Sequence, residues 1–281
     1  MSKKIKVIAE IGINHNGDIK LAKEMIDLAV KYDCYAVKFQ KRTIDVVYTK
    51  DELDVPRKSP FGTINRQQKE ALEFGKDEYD EIDRYCKEND IMWFASAWDL
   101  DSQRFLQQYN LKLNKVASAM LTYDDLLHMI AAEGKHTYIS TGMSRLEQVD
   151  HAVEIFRQYD CPFTIMSCTS TYPTPIEECN IRAVQSLRLR YPDSVGIGYS
   201  GHEIGVLPSI LSVALGADVI ERHITIDNTG NLYGSDQTSS LGPDGLRRLV
   251  RDANLVSDML GDGLKVLFPS EVGVMKKLRR F

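Results

Sequence analysis

Short apolar runs alternate along the chain with longer segments whose apolar residues recur at helical spacing. Residues 5–11 form one such run, and the next segment places Leu21, Met25 and Leu28 on one helical face. This alternation predicts strands that are each followed by a helix. The predicted strands are 5–11, 35–40, 91–95, 113–117, 136–140, 163–167, 195–199 and 219–223, and the predicted helices are 19–32, 76–89, 100–108, 122–132, 145–159, 181–190, 205–214 and 243–260.

The predicted strands show little polar alternation, which is expected when both faces of a parallel sheet are covered. Eight strand–helix units in 281 residues predict a single (β/α)8 TIM barrel over residues 1–281. An open doubly wound sheet is the alternative, but the first strand lacks a Gly-rich phosphate turn. The connection at 41–75 is too long for a simple turn, so we expect a lid over the site. Thr122 is the predicted N-cap of the fourth helix.

Composition narrows the possible partners. The net charge of −5 argues against nucleic acid as the main partner. The five cysteines are odd in number and lack CxxC spacing, which argues against a disulfide framework or a thiolate zinc site. The apolar runs are too short for a membrane span, and the N-terminus resembles a first strand rather than a signal peptide. We therefore expect a cytoplasmic protein without a membrane partner.

Polar side chains stand at the carboxyl end of nearly every predicted strand. In a closed barrel these ends meet at one rim, which is where barrel enzymes carry their active sites. The rim therefore predicts an enzyme, with a non-catalytic barrel that binds a sugar acid or a partner protein as the alternative. The rim residues are Glu10, Asn14, His15, Lys38, Gln40, Ser96, Asp99, Lys115, Ser118, Ser140, Thr141, Thr169, Ser170, Tyr172, Ser200, His202, Glu221 and His223.

His202 and His223 follow neighbouring predicted strands. Adjacent strands lie about 4.8 Å apart, so both imidazoles could reach one ion. Two nitrogen ligands with open positions suit Mn²⁺, Fe²⁺, Co²⁺ or Zn²⁺. From spacing alone, two unrelated loop histidines remain the alternative. Glu221 could be a ligand, could orient an imidazole, or could pair with Arg222.

Two lysines, Lys38 and Lys115, lie inside apolar predicted strands. A buried lysine is costly unless it is paired, so two lysines at one rim indicate an anionic ligand such as a phosphate or a carboxylate. The hydroxyls of Ser118, Ser140, Ser170 and Ser200 would add donors. A Schiff-base aldolase that uses Lys38 or Lys115 is the second possibility, because a desolvated lysine is nucleophilic.

Several motifs occur in an order that resembles the sialic acid synthase family over essentially the whole chain. That family condenses phosphoenolpyruvate with a sugar aldehyde to make nonulosonic acids. The resemblance implies a barrel transferase of carbohydrate biosynthesis that acts on phosphoenolpyruvate and an aldose or N-acetylated aldose, and a homodimer or homotetramer is expected. The motifs are AEIGINHNGD (9–18), VKFQ (37–40), STGMS (140–144), CTSTYPTP (168–175), IGYSGHEIG (197–205) and ERHIT (221–225).

The resemblance also implies residue roles. His202 and His223 match the family's metal ligands, with Mn²⁺ as the usual ion and Mg²⁺ or Co²⁺ as alternatives. Together with Glu10, they are the implied catalytic residues. Ser170 stands where many members have asparagine. The positions matching phosphoenolpyruvate-binding residues are Lys38, Lys115, Ser118, Ser140, Ser170 and Ser200, and those matching sugar-binding residues are Gln40, Tyr172 and Asp236.

Three departures concern the sugar. Met120 stands where many members have a sugar-contacting glutamate, and Ala97 stands where they have threonine. Typical members also continue into an antifreeze-like domain that caps the partner's site, whereas this chain stops after KKLRRF at 276–281. We therefore expect the barrel domain alone, with the aldose left open. The 41–75 segment could close the site instead, with Arg66 as an anion contact.

Overall fold

The structure, a computed structural model, describes residues 4–227 and 232–280. All its strands except β3 and β4 form a closed barrel in the order β1-β10-β9-β8-β7-β6-β5-β2, and every pair in it is parallel. The predicted (β/α)8 barrel is thereby confirmed. The strands are β1 (Lys6–Glu10), β2 (Ala36–Lys41), β3 (Pro56–Ser59), β4 (Gly62–Ile64), β5 (Met92–Ala97), β6 (Leu113–Val116), β7 (His136–Ser140), β8 (Phe163–Cys168), β9 (Gly196–Gly201) and β10 (Val219–His223).

The helices cover the outside of the barrel with amphipathic faces. In α1, Ala22, Met25, Ile26 and Ala29 are fully buried at helical spacing, and burying one large aliphatic side chain contributes about 1.5–3 kcal/mol. Within the described residues, no helix is long and apolar enough to cross a membrane. The helices are α1 (Ile19–Lys31), α2 (Ile44–Val47), α3 (Lys50–Leu53), α4 (Asn65–Ala71), α5 (Lys76–Glu88), α6 (Leu100–Leu106), α7 (Asp124–Ala131), α8 (Leu146–Gln158), α9 (Ala183–Arg190), α10 (Leu207–Ala214), α11 (Pro243–Met259) and α12 (Pro269–Leu278).

The start of α7 differs from the prediction that Thr122 caps it. The N-cap is Tyr123, which makes no side-chain capping hydrogen bond. A short 3-10 turn at Ser118–Met120 precedes the helix, and the amide of Tyr123 donates to the Met120 carbonyl at 3.1 Å. Because that turn carries the chain past Thr122, the helix begins at Asp124, whose carboxylate interacts favourably with the helix dipole.

The long connection at 41–75 is folded, containing α2, α3, the β3–β4 hairpin and α4. Its hairpin reaches the loop after β10, where Arg57 Nε donates to the Tyr233 hydroxyl at 3.2 Å. The Phe61 ring also packs edge-on against Tyr233 at 5.8 Å between centroids. The connection therefore runs from the end of β2 to the loop after β10, the two strands that flank β1.

Candidate active site

The strand register brings the polar side chains to one level of the barrel. Glu10 of β1 pairs with His223 of β10 on one side and with Lys38 of β2 on the other. Ser200 of β9 pairs with Glu221 in the same way. Because parallel strands keep their carboxyl ends at one edge, residues from distant parts of the chain meet at the mouth of the barrel.

Two adjoining pockets open there, and Gln40, Trp98 and Tyr172 line both. The inner pocket has a volume of about 170 Å³ and the outer pocket about 280 Å³. The inner pocket is lined by Glu10, Lys38, Gln40, Ser96, Trp98, Lys115, Ala117, Ser118, Ala119, Ser140, Met143, Cys168, Ser170, Tyr172, Ser200, His202, Glu221 and His223. The outer pocket is lined by Ile13, Gln40, Arg42, Ile44, Tyr48, Lys69, Leu72, Glu73, Trp98, Tyr172, Ser235 and Asp236.

The structure thus brings every residue of the predicted site into these two pockets. The predicted catalytic, metal-binding and phosphoenolpyruvate-binding residues all line the inner pocket. Of the predicted sugar-binding residues, Gln40 and Tyr172 lie where the pockets join, and Asp236 lines the outer pocket.

A buried network of two lysines and two carboxylates lies in the inner pocket. Lys38 Nζ is 2.7 Å from Glu10 Oε2, and Glu221 Oε1 lies between the lysines, 3.9 Å from Lys38 Nζ and 3.8 Å from Lys115 Nζ. Burial raises the pKa of Glu10 to about 7, although Lys38 opposes the shift. Burial alone would lower the pKa of Lys38, but Glu10 and Glu221 outweigh it and raise that pKa. Lys38 therefore stays charged.

Lys115 faces a cluster of hydroxyls. Its Nζ donates to Ser140 Oγ at 2.6 Å and to the Val116 carbonyl at 3.1 Å. Burial lowers the pKa of Lys115 despite the nearby Glu221 carboxylate. This arrangement offers a cation and a hydroxyl to an anion that enters the pocket.

Gly142 leaves the space between the serine hydroxyls open. The Gly142 amide donates to Ser118 Oγ at 3.0 Å. A Cβ at Gly142 would lie 2.0 Å from Ser170 Oγ and 2.8 Å from Ser118 Oγ. No side chain fits there without displacing these hydroxyls, so the glycine is required by close packing.

His202 and His223 lie side by side, with ring centroids 5.6 Å apart. His202 Nδ1 is 2.9 Å from the Thr169 carbonyl, which can only accept, so Nδ1 carries a proton and Nε2 is the nitrogen that could bind a metal. Burial lowers the pKa of His223 to about 4, so this ring is neutral at neutral pH. Its buried Nδ1 makes no hydrogen bond to the described part of the chain and is 3.6 Å from Asp236 Oδ2.

These donors fit a metal held by two imidazoles. Two imidazole rings close together, one of them oriented by a backbone carbonyl, are a common arrangement of histidine ligands. Among the described residues, no group of three or more His, Cys, Asp or Glu side chains could hold a metal ion. An ion at His202 and His223 would therefore keep positions open for substrate and water.

The possible ion pair between Glu221 and Arg222 does not form. Arg222 is fully buried outside the barrel interior, where it pairs with Glu203 at 2.9 Å and donates to the carbonyls of Gly205 and Ser239. Glu221 instead lines the inner pocket. Neighbouring residues on a strand point to opposite faces, which separates the two side chains.

Several predicted rim residues support loops and do not line either pocket. Asp99 caps α6 by accepting from the Ser102 amide, and it also accepts from the Thr43 amide at 2.7 Å. His15 stacks on Phe74 with centroids 3.8 Å apart. The residues of this kind are Asn14, His15, Asp99, Thr141 and Thr169.

The structure places Met120, a departure from the family pattern, and Arg66, the suggested anion contact. Met120 packs against the hydrophobic core and lines neither pocket. Its side chain therefore does not take over the sugar contact that glutamate makes at this position in many members of the family. Arg66, considered above as an anion contact, pairs with Asp45 at 2.7 Å and Glu70 at 3.2 Å and also lines neither pocket. Arg66 is therefore not available to an anion in the site.

Other pocket residues were missed by the sequence reasoning. Arg42 stacks on Trp98, with its guanidinium carbon 4.0 Å from the ring centroid. Cys168 Sγ lies 3.9 Å from His202 Nδ1. Burial alone would raise the pKa of Cys168, but His202 and two neighbouring hydroxyls lower it to about 7. Cys168 directly follows the predicted strand at 163–167 and lies two residues before Ser170, a signal that could have placed it at the rim.

The fold and the site define a (β/α)8 barrel with a ligand-binding pocket at the carboxyl end of its strands. The chain belongs to the NeuB family, whose model matches residues 25–265. It is 38% identical over 274 residues to N-acetylneuraminate-9-phosphate synthase of Homo sapiens, covering 97% of this chain and 76% of that protein. It is 33% identical to N,N'-diacetyllegionaminic acid synthase of Campylobacter jejuni, covering 96% and 81%.

Solved structures show the same relationship. N-acetylneuraminic acid synthetase from Leptospira borgpetersenii, in complex with citrate, superposes with a TM-score of 0.85 at 29% identity, covering 99% of this chain and 94% of that one. Spore coat polysaccharide biosynthesis protein spsE from Bacillus subtilis gives a TM-score of 0.77 at 29% identity, covering 96% and 76%. The chain is accordingly an enzyme, a carbon–carbon bond-forming transferase of the sugar-acid synthase type.

Proposed function

We propose that this enzyme condenses phosphoenolpyruvate with an aldose or N-acetylated aldose, in a metal-dependent reaction that gives a 3-deoxy-2-ulosonic acid and inorganic phosphate. The observation that carries the proposal is the pairing of the two pockets. One is small and contains two lysines and several hydroxyls, the other is larger, and three residues line both. Two reactants held in adjoining pockets gain much of their rate from proximity.

Phosphoenolpyruvate is assigned to the inner pocket. Lys38 and Lys115 supply positive charge, and the hydroxyls of Ser118, Ser140, Ser170 and Ser200 supply donors around the space left by Gly142. Charge-assisted hydrogen bonds to phosphate and carboxylate oxygens are stronger than neutral ones. Glu10 and Glu221 keep the lysines in place before the ligand arrives.

The aldose is assigned to the junction and the outer pocket. Gln40 and Tyr172 lie at the junction, and Asp236 lies beside His223. An amide, a phenol and a carboxylate are suitable partners for sugar hydroxyls. The aldehyde end would face the inner pocket, where the carbon–carbon bond must form.

His202 and His223 are the proposed ligands of the metal, most simply Mn²⁺, with Mg²⁺ or Co²⁺ as alternatives. A bound divalent ion supplies Lewis acidity to a carbonyl oxygen. Thr169 orients His202 through its carbonyl, and Asp236 stands next to His223. Cys168 contacts His202 from the inner pocket and helps to position that ring.

In the reaction, C3 of phosphoenolpyruvate forms a bond to the aldehyde carbon, and the aldehyde oxygen becomes a hydroxyl by gaining a proton. Water adds to C2, and the C2–O bond to phosphate then breaks, leaving a ketone. We assign Glu10 to hold or deprotonate that water, because burial brings its pKa to about 7 and it lines the inner pocket beside Lys38.

A Schiff-base aldolase remains a second candidate because burial lowers the pKa of Lys115. Its hydrogen bonds to Ser140 and to the Val116 carbonyl hold the amine on the pocket wall. Borohydride reduction in the presence of pyruvate, followed by mass spectrometry, distinguishes the two. A trapped adduct at Lys115 or Lys38 would contradict the proposal, and we expect none.

The direct test is phosphate release from phosphoenolpyruvate with Mn²⁺ and a panel of aldoses, N-acetylated and not. We expect release that depends on both the aldose and the metal, and that stops when a chelator is added. An absence of release with every aldose would favour a non-catalytic sugar-acid-binding barrel.

We also propose that the chain forms a homo-oligomer. The packed pair of helices α10 and α11 exposes apolar side chains, with Leu207 63%, Leu211 42%, Leu255 52% and Met259 73% accessible. A patch of this kind on a protein surface is typical of a protein–protein contact. Light scattering over a concentration range should give at least a dimer mass, and a monomer at all concentrations would refute this assignment.

A further inference from the structure

Two residues next to the proposed metal ligands form a buried ion pair that the proposed chemistry does not use. Glu203 directly follows His202, and Arg222 directly precedes His223. Arg222 Nη1 is 2.9 Å from Glu203 Oε1, and both side chains are fully inaccessible to solvent. Neither residue lines the inner or the outer pocket, so any role in the reaction would act through the segments that the pair holds.

A glycine makes room for the carboxylate of this pair. A Cβ at Gly201 would collide with Glu203 Oε2 and would lie 2.6 Å from Tyr199 Cε1. In the space that the glycine leaves, Glu203 Oε2 accepts from the Tyr199 hydroxyl at 3.1 Å, and Oε1 accepts from the Ser209 hydroxyl at 2.7 Å. A buried charge is costly unless it is paired and hydrogen-bonded, and this carboxylate is both.

The guanidinium of Arg222 joins three segments behind the site. Nη2 donates to the Glu203 carbonyl at 2.6 Å and to the Ser239 carbonyl at 3.1 Å. Nη1 donates to the Gly205 carbonyl at 2.7 Å and to the Ser209 hydroxyl at 3.0 Å. Because the planar fork of arginine presents its donors in fixed directions, one side chain can position the loop after β9, the start of α10 and the loop after β10.

The contact with Ser239 extends this arrangement to Asp236. The Ser239 hydroxyl donates to the Asp236 carbonyl at 3.1 Å, across a 3-10 turn at Gln237–Ser239. Asp236 Oδ2 lies 3.6 Å from His223 Nδ1. Arg222 therefore anchors the loop that brings a carboxylate to one histidine, as well as the loop that begins at the other.

We propose that Glu203 and Arg222 are positioning residues for the metal site, holding His202 and Asp236 where His223 can share one ion with His202. This rests on the proposed function, because that function places a metal at the two histidines. Ligands that come from separate loops need support from the residues behind them, and loss of such support weakens metal affinity.

The binding of phosphoenolpyruvate offers an internal comparison. Lys115 of β6 and Ser140 of β7, which are assigned to this substrate, lie on the far side of the barrel from β10. Weakening the Glu203–Arg222 pair should therefore lower metal affinity while the affinity for phosphoenolpyruvate stays near the wild-type value. A general loss of stability would not separate the two affinities in this way.

Three variants weaken the pair without leaving a large cavity. Arg222→Lys keeps the charge and loses the planar fork, and Glu203→Gln keeps the shape and loses the charge. Tyr199→Phe deletes only the hydroxyl that donates to Glu203, so it keeps the test available if either charge variant fails to fold. Tyr191→Phe is the matched control, because Tyr191 is equally buried and its hydroxyl donates to the Asp150 carboxylate at 2.8 Å, outside both pockets.

The test measures binding in the absence of sugar, and loop order separately. Calorimetry gives the affinity for Mn²⁺ alone and, in chelator-treated protein, for phosphoenolpyruvate, while hydrogen–deuterium exchange follows residues 202–206 and 234–241. Arg222→Lys and Glu203→Gln should weaken Mn²⁺ binding by ~10- to 100-fold, and Tyr199→Phe by ~3-fold, with faster exchange in both loops. Phosphoenolpyruvate affinity should stay within about twofold throughout, and the control should match the wild type.

Wild-type Mn²⁺ affinity in all three variants would overturn the proposal, and so would equal losses of Mn²⁺ and phosphoenolpyruvate affinity, which would leave the pair a general stabilising role. If the wild-type protein binds no Mn²⁺, the proposed metal site fails, and hydrogen–deuterium exchange still decides the positioning role. Faster exchange confined to the two loops would support that role, and unchanged exchange would overturn it.

Discussion

The inner and outer pockets are built from different parts of the molecule. Most of the inner lining comes from the ends of barrel strands, and its charged groups are nearly inaccessible, as for Lys38 at 3% and Glu10 at 1%. The outer lining comes mainly from loops and from the 41–75 segment. Side chains on strands are held more rigidly than side chains on loops.

The electrostatics differ in the same way. In the inner pocket, Lys38, Lys115, Glu10 and Glu221 already neutralise one another, so the site is arranged before ligand binds. In the outer pocket, Lys69 has no ionic partner among the described residues. This difference supports the proposal that the inner pocket carries the reaction and that the outer pocket holds the sugar.

The largest effect is expected from His223→Ala in the inner pocket. Loss of one of two proposed metal ligands should lower phosphate release on the order of 10³-fold at saturating Mn²⁺. Bound manganese, measured by metal analysis, should fall with it. His151→Ala, at an exposed helical position, serves as the control. Full activity of the His223→Ala variant would contradict the proposed metal site.

A smaller effect is expected from Gly142→Ala. The added methyl group would lie 2.0 Å from Ser170 Oγ, so it crowds the hydroxyls assigned to phosphoenolpyruvate. An overpacking cost of about 1–3 kcal/mol corresponds to a ~10- to 100-fold loss of affinity for phosphoenolpyruvate, which should raise its KM. Gly273→Ala, with no atom within 4 Å of the new Cβ, should have wild-type kinetics. An effect on the aldose KM alone would contradict the assignment of phosphoenolpyruvate to the inner pocket.

Glu10→Gln tests a pH dependence specific to the inner pocket. The pKa of Glu10 is raised to about 7, so the carboxylate form is scarce below that pH and dominant above it. If the carboxylate is the active form, wild-type kcat should rise about tenfold between roughly pH 6 and pH 8 at saturating metal. The glutamine variant should have lower kcat without this rise. An unchanged pH profile in the variant would assign the titration to another group.

The smallest effect is expected from Asp236→Asn at the edge of the outer pocket. Weakening one hydrogen bond to a sugar hydroxyl should raise the aldose KM by ~3- to 10-fold and leave the KM for phosphoenolpyruvate unchanged. Asp193→Asn, an exposed position that pairs with Arg157, is the control. Equal changes in both KM values would mean that the two substrates do not bind in separate pockets.

Local pattern was sufficient for much of the fold. The strands His136–Ser140 and Val219–His223 have the predicted bounds because each is a short run of residues with strand propensity, bounded by polar or glycine-containing turns. The start of α7 could not be placed this way, because the 3-10 turn at Ser118–Met120 carries the chain past Thr122. Helix ends depend on the path of the preceding loop as well as on residue type.

The sequence by itself determined which side chains reach the rim, because closed parallel barrels place all strand carboxyl ends together. That rule alone predicts that Glu10, Lys38, His202 and His223 lie in one site. It did not distinguish Glu221, which faces the pocket, from its buried neighbour Arg222. The direction of a side chain at a strand end depends on the pleat and on the elements packed behind it.

Only the tertiary structure decided which further residues line the outer pocket. Arg42, Lys69 and Trp98 are separated along the chain and share no motif, yet they line one cavity with Gln40, Tyr172 and Asp236, which the family resemblance predicts. Their meeting depends on how the 41–75 segment packs against the loop after β10, through contacts such as that between Arg57 and Tyr233. Contacts between loops follow from three-dimensional packing and leave no periodic pattern in the sequence, so only the folded chain shows them.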